Sequence, residues 1–438
     1  MPIADDAEKE MGAMTGFFKT RFAWALLTFL VVGVAAAWLN FGAVSPDNFP
    51  VLSWTGWTIK DYLNSKQRPN IVFLGSSLML VPLDGVDADY LGKRVDGSQH
   101  HHSVYFEDKL KEKTGLSLKT FTFALPGEMP SDAYLIVNNL LKGKNKPDMI
   151  VYGVGPRDFL DNMLPSPAAT DPFRYLSRFG KIDQIADRVS PEFFPRLDYE
   201  LGKVSYFWQK RADISQTAEQ AATSLINAMV PLPVDGYPTT FDERRLLMPD
   251  FRPCEVPRGA AFFRPTTAAE RNNFVDNLAE YKKRYATMKW DTYISQMRFF
   301  ADALDVAHAQ GIKAVVVAMP ITDLNRQLLS NLSWDAYRKG VLAMAKRKGA
   351  SVIDLSESKD FNRSDFGDTV HLHSGGGKKF FDVVIDQLAK NEDALACFPE
   401  ENRIAAKNKT TQAATRLPVS ATVTTNAKQK LSQRGLPL

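Results

Sequence analysis

Two adjacent serines are the first residues in this chain whose placement could support catalysis. Ser76 and Ser77 follow the apolar run Ile71–Leu74 and a glycine. Four consecutive apolar residues are typical of a buried parallel strand, and open parallel sheets bind their ligands at the carboxyl ends of strands. A serine at this point is well placed to be a nucleophile. Serine is also a favoured helix N-cap, and on this stretch alone capping is the better interpretation.

A serine nucleophile needs a histidine base, and the base needs a group that orients it. Of the six histidines, His100–His102 lie in a polar loop, where we expect solvent exposure, and His308 suits the C-terminal end of a helix. Near the end of the chain, Asp368 precedes His371 by three residues. Asp368 could hold one ring nitrogen of His371 while the other points at Ser77. An Asp-x-x-His pattern is weak alone, but it gains specificity when it shares a sheet edge with a strand-end serine.

Strands alternating with helices would bring these two segments to one edge of a sheet. The predicted strands are 71–74, 118–125, 148–154, 312–319 and 351–355, and the predicted helices are 106–114, 131–141, 291–310, 334–348 and 374–388. A polar excursion is expected at 82–104. Five β–α units with near-continuous apolar strands predict an α/β fold with a parallel sheet covered on both faces.

An insertion at about 160–285 separates the third strand from the fourth. We expect it to be largely helical, with helices in 193–230 and 267–287 and a Pro-rich middle without strands between 230 and 265. It leaves the sheet at the edge that carries the serine, so it is a candidate substrate lid or docking surface. Its aromatic residues Tyr206–Trp208 could stack on sugars, although packing in the core is the favoured interpretation.

The N-terminal region contains a candidate membrane anchor at residues 22–44. No charged residue occurs between Arg21 and Asp47, and a helix needs about 20 residues to cross the hydrocarbon core. Tryptophans at 24 and 38 suit the two interfaces, and the Lys/Arg bias places residues 1–21 in the cytoplasm and the main domain outside. A cleaved signal peptide is the minority alternative.

The folded region is nearly neutral, and the C-terminal tail is basic. The total net charge is +4; residues 399–438 contain seven Lys and Arg against two Glu, so the tail carries +5 and the rest about −1. A nucleic-acid partner is therefore not expected, and the tail is predicted to be disordered. No residue pattern indicates a cofactor or a metal site. An extracytoplasmic location would permit a disulfide between Cys254 and Cys397, but the sequence does not decide whether they pair.

Taken together, these motifs resemble the SGNH/GDSL hydrolase superfamily. Its Gly-Asp-Ser-Leu block matches Gly75-Ser76-Ser77-Leu78, with Ser in place of Asp, and its Asp-x-x-His block matches Asp368 and His371. The block-two glycine matches Gly127, and the Gly-x-Asn-Asp block matches Gly155-Pro156-Arg157-Asp158. The resemblance covers residues 70–375 apart from the insertion. It implies a flavodoxin-like three-layer α/β/α domain at 45–398.

The resemblance also assigns roles to individual residues. It implies Ser77 as nucleophile, Asp368 and His371 as the rest of the triad, and Gly127 as an oxyanion donor. Arg157 stands where the family has Asn. A guanidinium also donates hydrogen bonds, so Arg157 could serve the oxyanion hole, or it could form a structural ion pair with Asp158 or Asp161. These two interpretations are about even.

An anchor followed by an external domain is similar to bacterial superfamily members that act in teichoic acid D-alanyl transfer and polysaccharide O-acetylation. This similarity implies an esterase or O-acyltransferase that acts on ester-linked acyl groups of surface glycans. It also implies a single-pass protein of the bacterial inner membrane, with a periplasmic domain and a membrane-bound O-acyltransferase as a possible partner. The alternative is a catalytically inactive protein of the same fold that binds or assembles components of the envelope.

Overall fold

Seven strands form within the residues that the computed structural model describes, which are 20–39, 54–164, 166–180, 183–189, 193–211, 214, 262–400 and 402. The strands are β1 (Ile71–Leu74), β2 (Val95–Asp96), β3 (Thr120–Thr122), β4 (Met149–Val154), β5 (Phe262–Phe263), β6 (Lys313–Ala318) and β7 (Ser351–Asp354). Five of them form a fully parallel sheet in the order β3-β1-β4-β6-β7. The short strands β2 and β5 pair separately and antiparallel. The predicted five-stranded parallel sheet is confirmed.

Helices connect these strands. They are α1 (Arg21–Trp38), α2 (Trp54–Asn64), α3 (Ser77–Leu91), α4 (Val104–Thr114), α5 (Pro130–Asn139), α6 (Pro156–Leu160), α7 (Asp171–Leu176), α8 (Ala186–Val189), α9 (Phe193–Val204), α10 (Ala268–Arg271), α11 (Leu278–Arg284), α12 (Trp290–Ala309), α13 (Asp323–Arg326), α14 (Asn331–Arg347), α15 (Ser374–Ala389) and α16 (Glu392–Leu395). The five core helices predicted from the sequence are confirmed as α4, α5, α12, α14 and α15, with small shifts at their ends.

The order of the strands creates a crevice at one edge of the sheet. Strand β1 pairs with β3 on one side and with β4 on the other. The chain therefore runs from β1 to β3 and then crosses over β1 to reach β4. Where strand order reverses in this way, the loops after the two strands diverge and leave room for a ligand outside their carboxyl ends. Every residue of β1 and β4 is buried, so neither face of these strands meets solvent.

The helix after β1 is longer than the sequence predicts. Helix α3 continues through Pro82 and Gly85 to Leu91, so the polar excursion expected at 82–104 is wrong for its first half. Helix α3 packs against α15, and at Gly85 an added Cβ would lie 3.7 Å from Ser374, an ordinary contact distance. Burial against a neighbouring helix outweighs the low helix propensity of these two residues.

The histidine run is less exposed than expected. His101 is 4% exposed, stacks on Phe121 and hydrogen-bonds Asp61, and its burial lowers its pKa. His100 Nε2 lies 2.7 Å from an Asp87 oxygen. The expectation of exposure is wrong for both residues because the connection between β2 and α4 folds back onto α3.

The apolar N-terminal helix is present as α1. It is long and apolar enough to cross a membrane, and within it only Ala23 and Ala36 are buried. Residues 40–44 of the predicted anchor lie outside the described residues.

The insertion is described only in part. The helix predicted at 267–287 is two short helices, α10 and α11. The helix predicted at 193–230 is described as α9 and a further turn at 206–211, and apart from residue 214 its remainder lies outside the described residues. Nearly all of the Pro-rich middle lies outside them too, but the prediction that it lacks strands is wrong, because β5 pairs with β2 at its end. Cys254 and residues 403–438 also lie outside them, so the disulfide and the disordered tail stay predictions.

A glycine pair tests the close packing of α3 and α15. A Cβ on Gly377 would lie 2.8 Å from Pro82 Cβ and 2.9 Å from Val86 Cγ2, whereas Gly85 has room for one. We expect Gly377→Ala to lower the free energy of unfolding by about 1–3 kcal/mol. Gly85→Ala should raise it by up to about 1 kcal/mol, because Ala favours the helix. Thermal unfolding of both variants checks this, and equal shifts would contradict the packing.

Candidate active site

The structure brings the three predicted triad residues together in a hydrogen-bonded chain. Ser77 Oγ lies 2.8 Å from His371 Nε2, and His371 Nδ1 lies 2.7 Å from Asp368 Oδ2. A carboxylate can only accept, so Nδ1 carries the ring proton and Nε2 is the acceptor for the Ser77 hydroxyl. This arrangement can remove a proton from a serine that attacks a carbonyl.

The loop that carries Asp368 and His371 is held by its own backbone and by its neighbours. Asp368 Oδ1 accepts hydrogen bonds from the backbone N–H groups of Val370 at 2.9 Å and His371 at 2.7 Å. The Thr369 carbonyl accepts from the Thr322 hydroxyl at 2.7 Å, and the Thr369 hydroxyl donates to Asn277. The loop is therefore tied both to the end of β6 and to the returning end of the insertion.

Asp368 is held in its charged form. Burial alone would raise the pKa of this carboxyl, but the hydrogen bond and charge of His371 and the two backbone N–H groups outweigh burial, so the pKa lies below its ordinary value. An ionised Asp368 keeps the imidazole in one tautomer and can stabilise an imidazolium.

The two serines have different surroundings. Ser77 is the first residue of α3, where backbone N–H groups have no acceptor within the helix and the helix dipole favours negative charge. Ser76 is 2% exposed, and its side chain hydrogen-bonds Asp158 and does not cap the helix. Only Ser77 therefore has a hydroxyl that lines the cleft with His371 in reach.

The turn that ends β1 is fixed to the loop after β3. The Gly75 carbonyl accepts from Leu125 N at 2.9 Å, and Gly75 N donates to Glu128 Oε1 at 3.2 Å. Gly75 has φ +136°, and a Cβ there would lie 2.5 Å from the Gly153 carbonyl oxygen, so the turn requires glycine. Gly127, with φ +76°, lies within the same loop and lines the cleft beside Ser77.

The guanidinium of Arg157 contacts an acidic residue through Nε and lies near Gly127 of the cleft through Nη2. Its Nε donates to Asp161 at 3.0 Å, which is one of the ion pairs considered from the sequence. Its buried Nη1 lies 4.0 Å from Asp158 Oδ1, the other ion pair considered, and has no hydrogen-bond partner among the described residues. Its Nη2 lies 3.6 Å from the place that a Cβ on Gly127 would occupy. The ion pair and a donor role toward the cleft are therefore compatible in one side chain.

Three carboxyls are buried behind the serine turn. Burial raises the pKa of Glu128 well above its ordinary value, that of Asp132 to about 7 and that of Asp158 to about 6. The charges of Asp132 and Asp158 raise the pKa of Glu128 further. Glu128 Oε2 and Asp158 Oδ1 are buried without a hydrogen-bond partner in the described part of the chain. Burial therefore favours the neutral form of the Glu128 carboxyl, because an unpaired buried charge costs much more than a buried acid.

The insertion supplies one wall of the cleft that contains Ser77 and His371, whose volume is about 190 Å³. This wall was not predicted residue by residue, because a short helix in an insertion carries no sequence signal of its position. Its members are Asn277, Glu280, Tyr281, Arg284 and Tyr285. Among the described residues, no three His, Cys, Asp or Glu side chains gather closely enough to hold a metal ion.

Glu128→Gln tests the buried neutral acid through the pH dependence of stability. The ordinary pKa of Glu is 4.5, and the folded value is higher. The folded state therefore holds more protons than the unfolded state above about pH 4.5, and Glu128 costs stability as the pH rises toward its folded pKa. Glutamine cannot ionise, so the melting temperature of the variant relative to wild type should increase with pH. A difference that stays constant between about pH 5 and pH 8 would contradict it.

Comparison with known proteins gives no match: no family model matches the chain, and no curated protein matches its sequence.

Proposed function

We propose that this chain is a membrane-anchored, extracytoplasmic serine esterase or O-acyltransferase with the three-layer α/β/α architecture of SGNH hydrolases. The observation that carries the proposal is the chain from Ser77 Oγ to His371 Nε2, 2.8 Å, and from His371 Nδ1 to Asp368, 2.7 Å. The strand order β3-β1-β4-β6-β7 supports it, since this is the flavodoxin-like order with the serine at the reversal point.

The first half of the reaction forms an acyl-enzyme. Ser77 Oγ attacks the ester carbonyl carbon as its proton passes to His371 Nε2, and the carbonyl becomes an oxyanion. Collapse of this intermediate breaks the bond to the leaving alcohol, which takes the proton from His371. Asp368 keeps the imidazole oriented and stabilises its protonated form throughout.

The oxyanion needs donors at the place where its charge develops. The backbone N–H groups of Ser77 and Gly127 supply two, and the guanidinium of Arg157 supplies a third beside Gly127. Each such donor contributes on the order of 3 kcal/mol to transition-state stabilisation in serine hydrolases. The N-terminal end of α3 adds a favourable dipole at the same point.

The second half transfers the acyl group to an acceptor. An acceptor hydroxyl gives its proton to His371 Nε2 and attacks the acyl carbon. The bond from that carbon to Ser77 Oγ then breaks, and Ser77 Oγ takes the proton back from His371. The acceptor is water in an esterase and a sugar hydroxyl in a transferase. We place the enzyme at the bacterial inner membrane, with α1 as the anchor and residues 1–21 in the cytoplasm. A surface glycan is the proposed acceptor, and a membrane-bound O-acyltransferase is the proposed partner.

Covalent labelling separates an active enzyme from an inactive binding protein of the same fold. A fluorophosphonate probe should label the wild-type chain, and Ser77→Ala should abolish the labelling. The same variant should lower turnover of an activated acetyl ester by at least about 10⁴-fold, because nucleophile loss disables the triad. Ser76→Ala is the matched control and should still label. No labelling of wild type, or equal labelling of Ser77→Ala, would exclude the enzyme.

Replacing Arg157 tests its role at the oxyanion. Arg157→Ala should lower kcat for an acetyl ester by about 10²–10³-fold with little change in KM, as expected for a donor used in the transition state. The control is Arg338→Ala, since Arg338 forms ion pairs with Asp354 and Glu357 outside the cleft. If kcat of Arg157→Ala falls no further than that of Arg338→Ala, Arg157 has only a structural role.

A further inference from the structure

The aromatic part of the insertion packs against the candidate anchor. Helix α9 ends at Val204, and hydrogen bonds from Ser205 N to Leu201 O and from Gln209 N to Ser205 O continue the helical path to residue 211. We call residues 193–211 the insertion arm. Of the aromatic run expected to pack in the core or to stack on sugars, Phe207 contacts α1.

The contact with α1 lies well within that helix. The ring centroid of Phe207 is 5.7 Å from that of Phe29, and a Phe207 ring carbon lies 3.8 Å from the place a Cβ would take on Gly33. With a rise of about 1.5 Å per residue, Gly33 lies roughly 18 Å from Arg21 and roughly 8 Å from Trp38. By the same rise Phe29 lies roughly 14 Å from Trp38, so if α1 spans a bilayer, the Phe207 ring lies in the hydrocarbon region, between the extracytoplasmic half and the middle.

The rest of the insertion arm has the pattern of a surface that meets lipid. Leu197, Leu201, Val204 and Trp208 follow one another at helical spacing, which places them on one stripe. In this stripe Leu197 is 43%, Val204 75% and Trp208 40% exposed. Exposed apolar side chains at such spacing, on an element that already touches an apolar helix, are typical of an interfacial amphipathic helix.

The polar side of the insertion arm suits the same location. It contains four Lys and Arg residues against one Asp and one Glu. Lys203 stacks on Tyr199 and pairs with Glu200, and Arg211 stacks on Trp208 and pairs with Asp198. Aromatic rings with neighbouring cations are characteristic of the membrane–water interface, and a net positive charge favours anionic lipids.

Sugar stacking by these rings is disfavoured by the same contacts. One face of the Trp208 indole carries the Arg211 guanidinium, and its Nε1 donates to Asp198 at 3.0 Å. Phe207 is already in contact with α1.

The insertion arm is also fixed to the catalytic domain. The helix that precedes it, α8, is joined to α12 by an ion pair between Arg188 and Asp302 and by a hydrogen bond from Ser295 Oγ to the Arg188 carbonyl. A lipid contact of the arm would therefore orient the domain, because the arm follows a helix that is bonded to α12.

We propose that the insertion arm is a second membrane contact, which lies in the extracytoplasmic interface of the bilayer that α1 spans, with Phe207 inserted against α1. This inference rests on the membrane anchoring that is part of the proposed function, but not on catalysis. Two contacts would hold the Ser77 cleft at a fixed height and angle above the lipid surface.

Site-directed spin labelling tests the proposal on the full chain. The protein is reconstituted into vesicles of phosphatidylethanolamine and phosphatidylglycerol, and nitroxides are attached at Leu197→Cys, Val204→Cys, Val34→Cys of α1 and Leu332→Cys of α14. Leu332 is the matched control, since it is 63% exposed and lies on a helix of the catalytic domain. All four positions are exposed, so the labels do not disturb packing.

The readout is collision of each nitroxide with oxygen, which concentrates in lipid, against collision with a water-soluble nickel complex. We expect the Leu197, Val204 and Val34 labels to favour oxygen several-fold more than the Leu332 label does. If Val34 reports lipid while Leu197 and Val204 match Leu332, the second contact is wrong and the anchor stands. If Val34 also matches Leu332, the anchor and the second contact are both wrong.

Discussion

The hydrogen bonds of Gly75 are the constraint on which the geometry of the cleft depends. Its carbonyl accepts a hydrogen bond from Leu125 N, and its N–H donates one to Glu128. Both backbone polar groups of Gly75 therefore join the end of β1 to the loop after β3. On the other side, a Cβ on Gly75 would lie only 2.5 Å from the Gly153 carbonyl oxygen of β4, so no side chain fits there. The strand that carries the serine is thereby held from both neighbours at the point where strand order reverses. Because the hydrogen bonds of Gly75 join the turn before Ser77 to the loop that contains Gly127, they fix the position of Ser77 relative to Gly127.

Buried carboxyls fix further loops of the cleft in the same way, by accepting hydrogen bonds from backbone N–H groups. In each of the loops after β1, β3 and β4, a buried carboxyl oxygen accepts a hydrogen bond from a backbone N–H: Glu128 from Gly75, Asp132 from Met129, and Asp158 from Gly155. A carboxyl oxygen is a strong acceptor for an N–H at a sharp turn, but burial makes its charged form costly, and the pKa of each carboxyl rises accordingly. These carboxyls therefore fix the loop geometry but lower the free energy of unfolding at higher pH. Functional sites commonly reduce stability in this way.

The sequence predicted the parts of this site that depend on local pattern. Apolar strands and helix periodicity located the sheet, and strand ends located Ser77, Asp368 and His371, because carboxyl ends of parallel strands must meet at one edge. It failed where tertiary contacts override local preference. Helix α3 runs through Pro82 and a glycine because it is buried against α15, and the polar run around His101 folds inward because Asp61 and Phe121 receive it. The wall of the cleft that α11 forms was missed for the same reason. Its position is set by contacts with residues distant in sequence, between Asn277 and Thr369 and between Arg284 and Asp161.

That wall bears on Arg157, one of the two residues that depart from the sequence blocks that this chain resembles. An asparagine at position 157 would be short and would need little support, whereas an arginine is long and loses rotamer entropy when it is held. Asp161 supplies the support: it is fully buried and binds Arg157 Nε together with Arg284 of α11. Arg284 is in turn held by Glu280. The position of Arg157 therefore depends on the insertion. Asp161 offsets part of its charge, so in the proposed oxyanion hole Arg157 would act more through directed N–H donors than as a free cation.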